Sequence, residues 1–186
     1  MDKKDLILEQ AAKLFAEKGY YGLGLSELLK RCGIPKGSFY YYFPEGKIQL
    51  LQEVLAYSYA RMRGWIDSWI RQQPSALAAF SHMTDVLSGG VSNGHYLSSM
   101  TLSMIAIESV YLDERVNQTC RAIYSDWQQF YAGHLAYFGV PEALCIQKAQ
   151  AVFALIHGSL LSAWIKQDPQ DLHMAKSSLQ DLLSDY

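Results

Sequence analysis

A chain of 186 residues, half of them hydrophobic and 18% charged, is long enough for one domain or for a small domain joined to a moderate one, and too apolar to be disordered. Its net charge of −2 excludes a uniformly basic polyanion binder, yet residues 1–50 carry eight Lys and Arg against six Asp and Glu, while residues 51–186 carry eight against twelve. Cys32, Cys120 and Cys145 lack a close pair, which indicates neither a disulfide framework nor a zinc site, and the charged start MDKKDLILEQ offers no signal-peptide core, so a soluble, cytoplasmic protein is expected.

In chain order the periodicity is helical almost throughout, with no alternating β-branched runs and no hairpin signal. Ile7, Ala11, Leu14 and Phe15 share one face of a first helix that Gly19 stops. Leu25, Leu28, Leu29 and Cys32 mark a short second helix, capped by Gly24 and ended by Gly33. Pro35 opens a third, which runs to about Tyr42. A long helix follows from Lys47 to Gln72, then one from Pro74 to Leu87, with SGGVSNG (88–94) read as a loop. Helices near 96–109, 114–138, 141–167 and 170–184 complete an all-α chain. The first three form a helix-turn-helix block over residues 1–47, and residues 48–186 form a second helical domain.

The helix at 141–167 is apolar on two sides. Ala149, Val152, Phe153, Ile156, Leu160, Ala163 and Trp164 fall within roughly 60° of one direction. Ala151, Ala154, Leu155, Gly158, Leu161, Ser162 and Ile165 cluster about the opposite one. Its least charged run, 149–165, is short for a membrane span and interrupted by Gln150, His157 and Gly158, so burial in protein is expected instead, with no membrane partner. One stripe can face its own domain; the second needs another cover. A homodimer with a two-fold axis provides it, through Ala151, Ala154, Leu155, Gly158, Leu161 and Ile165, with Leu179 of the final helix. The alternative is a central helix wholly wrapped by its own chain.

The stretch GLGLSELLKRCGIPKGSFYYYFPEGK (22–47) crowds three tyrosines between two phenylalanines. Phe39 and Phe43 are four residues apart and share a face with Leu28, Leu29 and Ile34 as core. Gly37, Ser38, Tyr41 and Tyr42 then lie toward the other side. Small residues in the first turn let a backbone enter a groove, and tyrosine offers a hydroxyl for phosphate and a ring for thymine methyls or sugars. Lys36 and Lys47 bracket the helix as phosphate clamps. The candidate contacts to double-stranded DNA are Ser26, Lys36, Gly37, Ser38, Tyr40, Tyr41, Tyr42 and Lys47; the other reading of one or two of the tyrosines, Tyr42 above all, is a cover for the junction with the next domain.

These residues carry a resemblance. A first helix ending Phe15 to Gly19-Tyr20, a short helix, the run Gly33 through Phe43 and a lysine just beyond are similar to the N-terminal domain of the TetR family of bacterial transcriptional regulators. HGSLLSAWIKQDPQDLHMAKSSLQDLL (157–183) and FPEGK resemble the LmrA/YxaF-like branch. Gly24 stands where most of the family has Thr or Ser, and Gly46 is an extra residue before Lys47. The resemblance implies a repressor whose dimer places two recognition helices in successive major grooves of a palindromic operator. It also implies release of the DNA when a small hydrophobic effector binds the C-terminal ligand-binding and dimerisation domain.

Bulky residues on the later helices are candidates to line an effector pocket: Trp65, Trp69, Met83, Met100, Met104, Trp127 and Tyr131, with ordinary core as the other reading. Glu108 interrupts the apolar run MTLSMIAIESVY, either to attract a cationic or hydrogen-bonding effector or because it ends its helix in solvent. His157 reads as an interface histidine, and His82 with Asp85 lacks a third partner for a metal. No nucleophile–base pair, phosphate loop or metal cluster is legible, so no catalytic residue, no cofactor and no enzyme activity is expected, the alternative being a helical small-molecule-binding protein or enzyme without DNA regulation.

Overall fold

The computed structural model describes residues 2–93 and 98–186, leaving aside the side chains of 98–102 and 104. The fold is all-α. Among the described residues the elements are α1 (Lys3–Gly22), α2 (Leu25–Cys32), α3 (Lys36–Tyr42), α4 (Lys47–Ile70), α5 (Ala76–Ser92), α6 (Ser98–Leu112), α7 (Glu114–Tyr137), α8 (Glu142–Lys166) and α9 (Gln170–Leu183). They sort into two compact units, one of residues 1–63 with 98–123 and one of residues 64–97 with 124–186, so that α4 and α7 contribute to both.

In the first unit α1 packs on α2 and α6. The expected face of α1 is the one that is buried, with Leu8 added to Ile7, Ala11, Leu14 and Phe15. Gly19 breaks the helical path with φ 67° and ψ −176°, a region closed to side-chain-bearing residues, and one more turn then reaches Gly22. Helix α2 ends at Gly33 in the left-handed region at φ 64°, and the Ile34 N–H donates to the Leu29 carbonyl at 3.1 Å, closing the turn toward α3. Pro35 is the N-cap of α3, with φ −73° and ψ 157°, one residue earlier than expected. Leu28, Phe39, Phe43, Leu50 and Leu51 are fully buried together with α1's face.

In the second unit α5, α8 and α9 pack on one another. Helix α5 starts where Ser75 accepts from the Ala78 N–H at 3.1 Å. It does not stop at Leu87: the expected loop 88–94 is helical through Ser92, and residue 94 lies outside the described residues. Ser88 and Val91 are buried on the same face as Thr84, and the Ser88 hydroxyl donates to the Thr84 carbonyl at 2.7 Å. Core burial there outweighs the low helix propensity of two glycines. Lys176 pairs with Asp85, and Asp171 takes hydrogen bonds from Ser162 and Lys166.

Helix α8 is long and apolar enough by composition to cross a membrane, with a mean hydropathy of 1.3, but its first stripe is committed to protein. Cys145, Ala149, Val152, Phe153, Ile156, Leu160 and Ala163 are all buried. His157 stacks on Phe153 at 4.0 Å between ring centroids and meets the Trp127 ring edge-on at 5.2 Å. Its Nδ1 is buried with no hydrogen-bond partner, and desolvation pulls its pKa down from 6.5 to about 4.

Gly19→Ala should destabilise the protein by about 1–3 kcal/mol through backbone strain, read as a lower urea midpoint; an unchanged midpoint would remove the left-handed assignment. His157 gives a pH signature. Between pH 6.5 and about 4 the unfolded chain takes up a proton that the folded imidazole refuses, so stability falls as pH drops through this window. His157→Phe should remove on the order of 2–3 kcal/mol of that loss when urea curves at pH 7 and pH 4.5 are compared. An equal pH dependence in both proteins contradicts the burial argument.

Candidate nucleic-acid interface

Seven residues are too few to hold a helix in water, so α3 exists because it is pinned. Phe39 and Phe43 supply the pins: both are fully buried, with ring centroids 5.3 Å apart. Leu28 lies in the same core, while Leu29 and Ile34 are only partly buried. With positions 39 and 43 turned inward, helical geometry turns Tyr40 and Tyr41 outward, and they are 43% and 80% exposed. Tyr42 is half-buried and meets Tyr41 edge-on at 5.1 Å. Lys36 and Gly37 are exposed and Ser38 is half-buried, and a Cβ at Gly37 would meet no heavy atom within 4 Å. Ser26 is exposed on α2.

Ion pairing redistributes the charge of the first unit. Glu9 is held by Lys13 at 2.9 Å, Glu17 by Arg31 at 3.0 Å, Glu27 by Lys18 at 2.7 Å, Glu53 by Lys4 at 2.6 Å and Glu45 by Arg115 at 2.7 Å. Lysine neighbours hold the Glu9 and Glu27 carboxyls below their ordinary range. Among the described residues Lys3, Lys30, Lys36 and Lys47 enter no ion pair. The small positive balance of the N-terminal stretch therefore concentrates on a few lysines, two of them flanking α3. Lys30, which is not among the sequence candidates, is exposed and lies four residues from Ser26, hence on the same side of α2. In the structure Arg31 takes Glu17 and Glu27, and Lys30, although three residues from Glu27, enters no ion pair.

Lys47 is more sheltered than a freely moving clamp. Its ammonium lies 4.2 Å from the centroid of the Tyr20 ring, and burial lowers its pKa. Lys36 reaches the Tyr40 ring at 5.9 Å. Gly46, with φ 76°, makes the turn that carries the chain from α3 into α4, where its N–H donates to the Phe43 carbonyl at 2.9 Å.

The remaining candidates fall in several places. In the second unit Met83, Trp127 and Tyr131 are buried, and the Tyr131 hydroxyl donates to the Met83 sulfur at 3.1 Å. Trp69 is half-buried with its ring N–H unpartnered, against His82 at 4.9 Å, whereas Trp65 is 49% exposed and turns away from the core position expected of it. Glu108 belongs to the first unit, partly buried beside Gly19, with Oε2 buried and unpartnered; it is not at a solvent end. Met100 and Met104 lie outside the described side chains.

On α8 the second stripe is left uncovered by its own chain. Ile165 is 72% and Leu161 36% exposed, Ala154 and Gly158 are exposed, and Ala151 and Leu155 are half-buried. The wholly wrapped central helix is thereby overturned. Leu179 is corrected too: it is fully buried in its own chain and has no surface to offer a partner. The three thiols are free and buried, and burial raises each pKa. Among the described residues no group of His, Cys, Asp and Glu is placed to hold a metal ion.

Comparison with known proteins agrees with this fold. Residues 7–54 match the model of bacterial regulatory proteins of the TetR family, and residues 76–178 match the model of the C-terminal domain of LmrA/YxaF-like transcriptional regulators. The HTH-type transcriptional regulator LmrA of Bacillus subtilis is 29% identical over 182 residues, covering 98% of this chain and 97% of that protein. YxaF of the same organism, an HTH-type transcriptional regulator, is 24% identical over 171 residues, covering 92% and 90%. The crystal structure of reduced Escherichia coli NemR superposes with a TM-score of 0.83 at 22% identity over 98% of this chain and 97% of that one, a likeness of fold. With one model covering the block around α3 and the other more than half of the chain, the protein belongs to the TetR family of transcriptional regulators, in its LmrA/YxaF-like branch.

Proposed function

We propose that the protein is a repressor that binds a palindromic operator as a homodimer and is released by a small hydrophobic effector. The observation that carries the reading is the division of α3, with Phe39 and Phe43 wholly buried and Tyr40, Tyr41, Lys36 and Gly37 exposed. That helix presents hydroxyls, rings, a cation and an open backbone on one side, which suits a major groove and its phosphates. Residues 1–47 do the reading and residues 48–186 the dimerisation and effector binding. The uncovered α8 stripe, with small residues Ala154 and Gly158 beside Leu161 and Ile165, suits close approach of a second α8 across a two-fold axis. Buried Met83, Trp127 and Tyr131 supply the apolar surroundings for an effector. Repression as the sign of regulation draws on NemR of Escherichia coli, an HTH-type transcriptional repressor 25% identical over 195 residues.

A mobility-shift titration against the promoter beside the protein's own gene tests the reading. Binding should weaken steeply with salt, and Lys36→Ala should lower the slope of log K against log salt by about 1. Tyr40→Phe and Lys47→Ala should each weaken binding with the fold intact; unchanged affinity in both means the wrong surface has been assigned. Sedimentation should find a dimer that Ile165→Asp converts to monomer, with loss of operator binding. A wild-type monomer at micromolar concentration contradicts the proposal.

A further inference from the structure

The turn from α3 into α4 presents a carboxylate, Glu45, two residues before Lys47. An acidic group there works against a phosphate clamp, and the structure supplies its counterweight from far along the chain. Arg115, in the first turn of α7, donates from Nη1 to Glu45 Oε2 at 2.7 Å. The guanidinium is fixed from behind: Nε and Nη2 donate to the two oxygens of Asp113 at 3.1 Å and 3.0 Å, and the Arg115 N–H donates to Asp113 Oδ1 at 2.9 Å. The backbone beneath is anchored as well. Gln52 of α4 donates to the Arg115 carbonyl at 3.3 Å and to the Thr119 hydroxyl at 3.1 Å. On the other side the Glu45 N–H donates to Gln49 Oε1 at 3.0 Å, Gln49 donates to Glu53 at 2.9 Å, and Lys4 closes the chain on Glu53 at 2.6 Å.

Folding stability is a poor reason for this arrangement. The Arg115 and Glu45 side chains are 50% and 62% exposed, where an ion pair adds little to stability. A guanidinium held by two hydrogen bonds to Asp113 and aimed at a second carboxylate is instead a device for setting local charge. We infer that Arg115 is a positioning residue for operator binding: by holding Glu45 it cancels the negative charge that the turn after α3 would otherwise set beside the DNA backbone. The inference rests on the operator-binding reading above and on α3 as the helix that enters the groove. Arg115 acts through Glu45 and makes no contact with DNA itself.

The test is a set of operator titrations at two salt concentrations with the full-length protein. Arg115→Ala exposes Glu45 and should weaken binding by about three- to tenfold at low salt, less at high salt, because repulsion between exposed charges is screened. Glu45→Gln with Arg115→Ala should recover most of the loss seen in Arg115→Ala, the remainder coming from the Asp113 carboxylate that loses the same guanidinium. Arg115→Lys should recover part of the loss. Circular dichroism and melting temperature should be unchanged throughout. Wild-type affinity in Arg115→Ala overturns the inference, and so does a loss that persists undiminished in the double variant. Failure of the wild type to retain any duplex is a different result and removes the operator reading as a whole.

Discussion

Everything proposed for the amino-terminal face depends on two phenylalanine side chains four residues apart. A helix as short as α3 has no independent stability, because nucleation costs more than one turn of hydrogen bonds returns. Burying Phe39 and Phe43 removes the helix's freedom to rotate about its axis as well as its tendency to unfold. Once those rings are buried, as Leu28, Leu50 and Leu51 are, the outward direction of Tyr40 and Tyr41 is a geometrical consequence. The same docking leaves the tight glycine turns at Gly33 and Gly46 as the joints that set where α3 sits.

Charge follows a similar logic. A composition with nearly balanced acids and bases has no obvious polyanion partner, but pairing is not uniform over the surface. Several acidic side chains of the first unit find cations on neighbouring helices, and two of the lysines left over, Lys30 and Lys36, lie on α2 and α3. Weak ion pairs matter here for the field they cancel more than for the stability they add.

Much of this was legible in the sequence because the decisive residues are close together in it. The i, i+4 phenylalanines, the glycine after α2 and the buried stripe of α8 are local patterns, and local geometry fixes their sense. What was misread depends on distant partners. The SGGVS segment looks like a loop until Ser88 and Val91 are seen to face the core that α8 and α9 provide. Leu179 carries the periodicity of an interface and of a core equally, and packing against α5 and α8 decides for the core. Trp65 follows the apolar side of α4 by number but lies where that side has reached the surface. Arg115 could not be matched to Glu45 from the sequence, since seventy positions separate them.

The sealed thiols have a practical use. Cys32 and Cys120 lie in the first unit and Cys145 in the second, each kept from solvent and held in the sluggish protonated form. A slow alkylating reagent would therefore reach each sulfur only during excursions that open its surroundings. Followed by mass spectrometry, the three modification rates form a native stopwatch for breathing in each half of the molecule, with no label engineered into the chain.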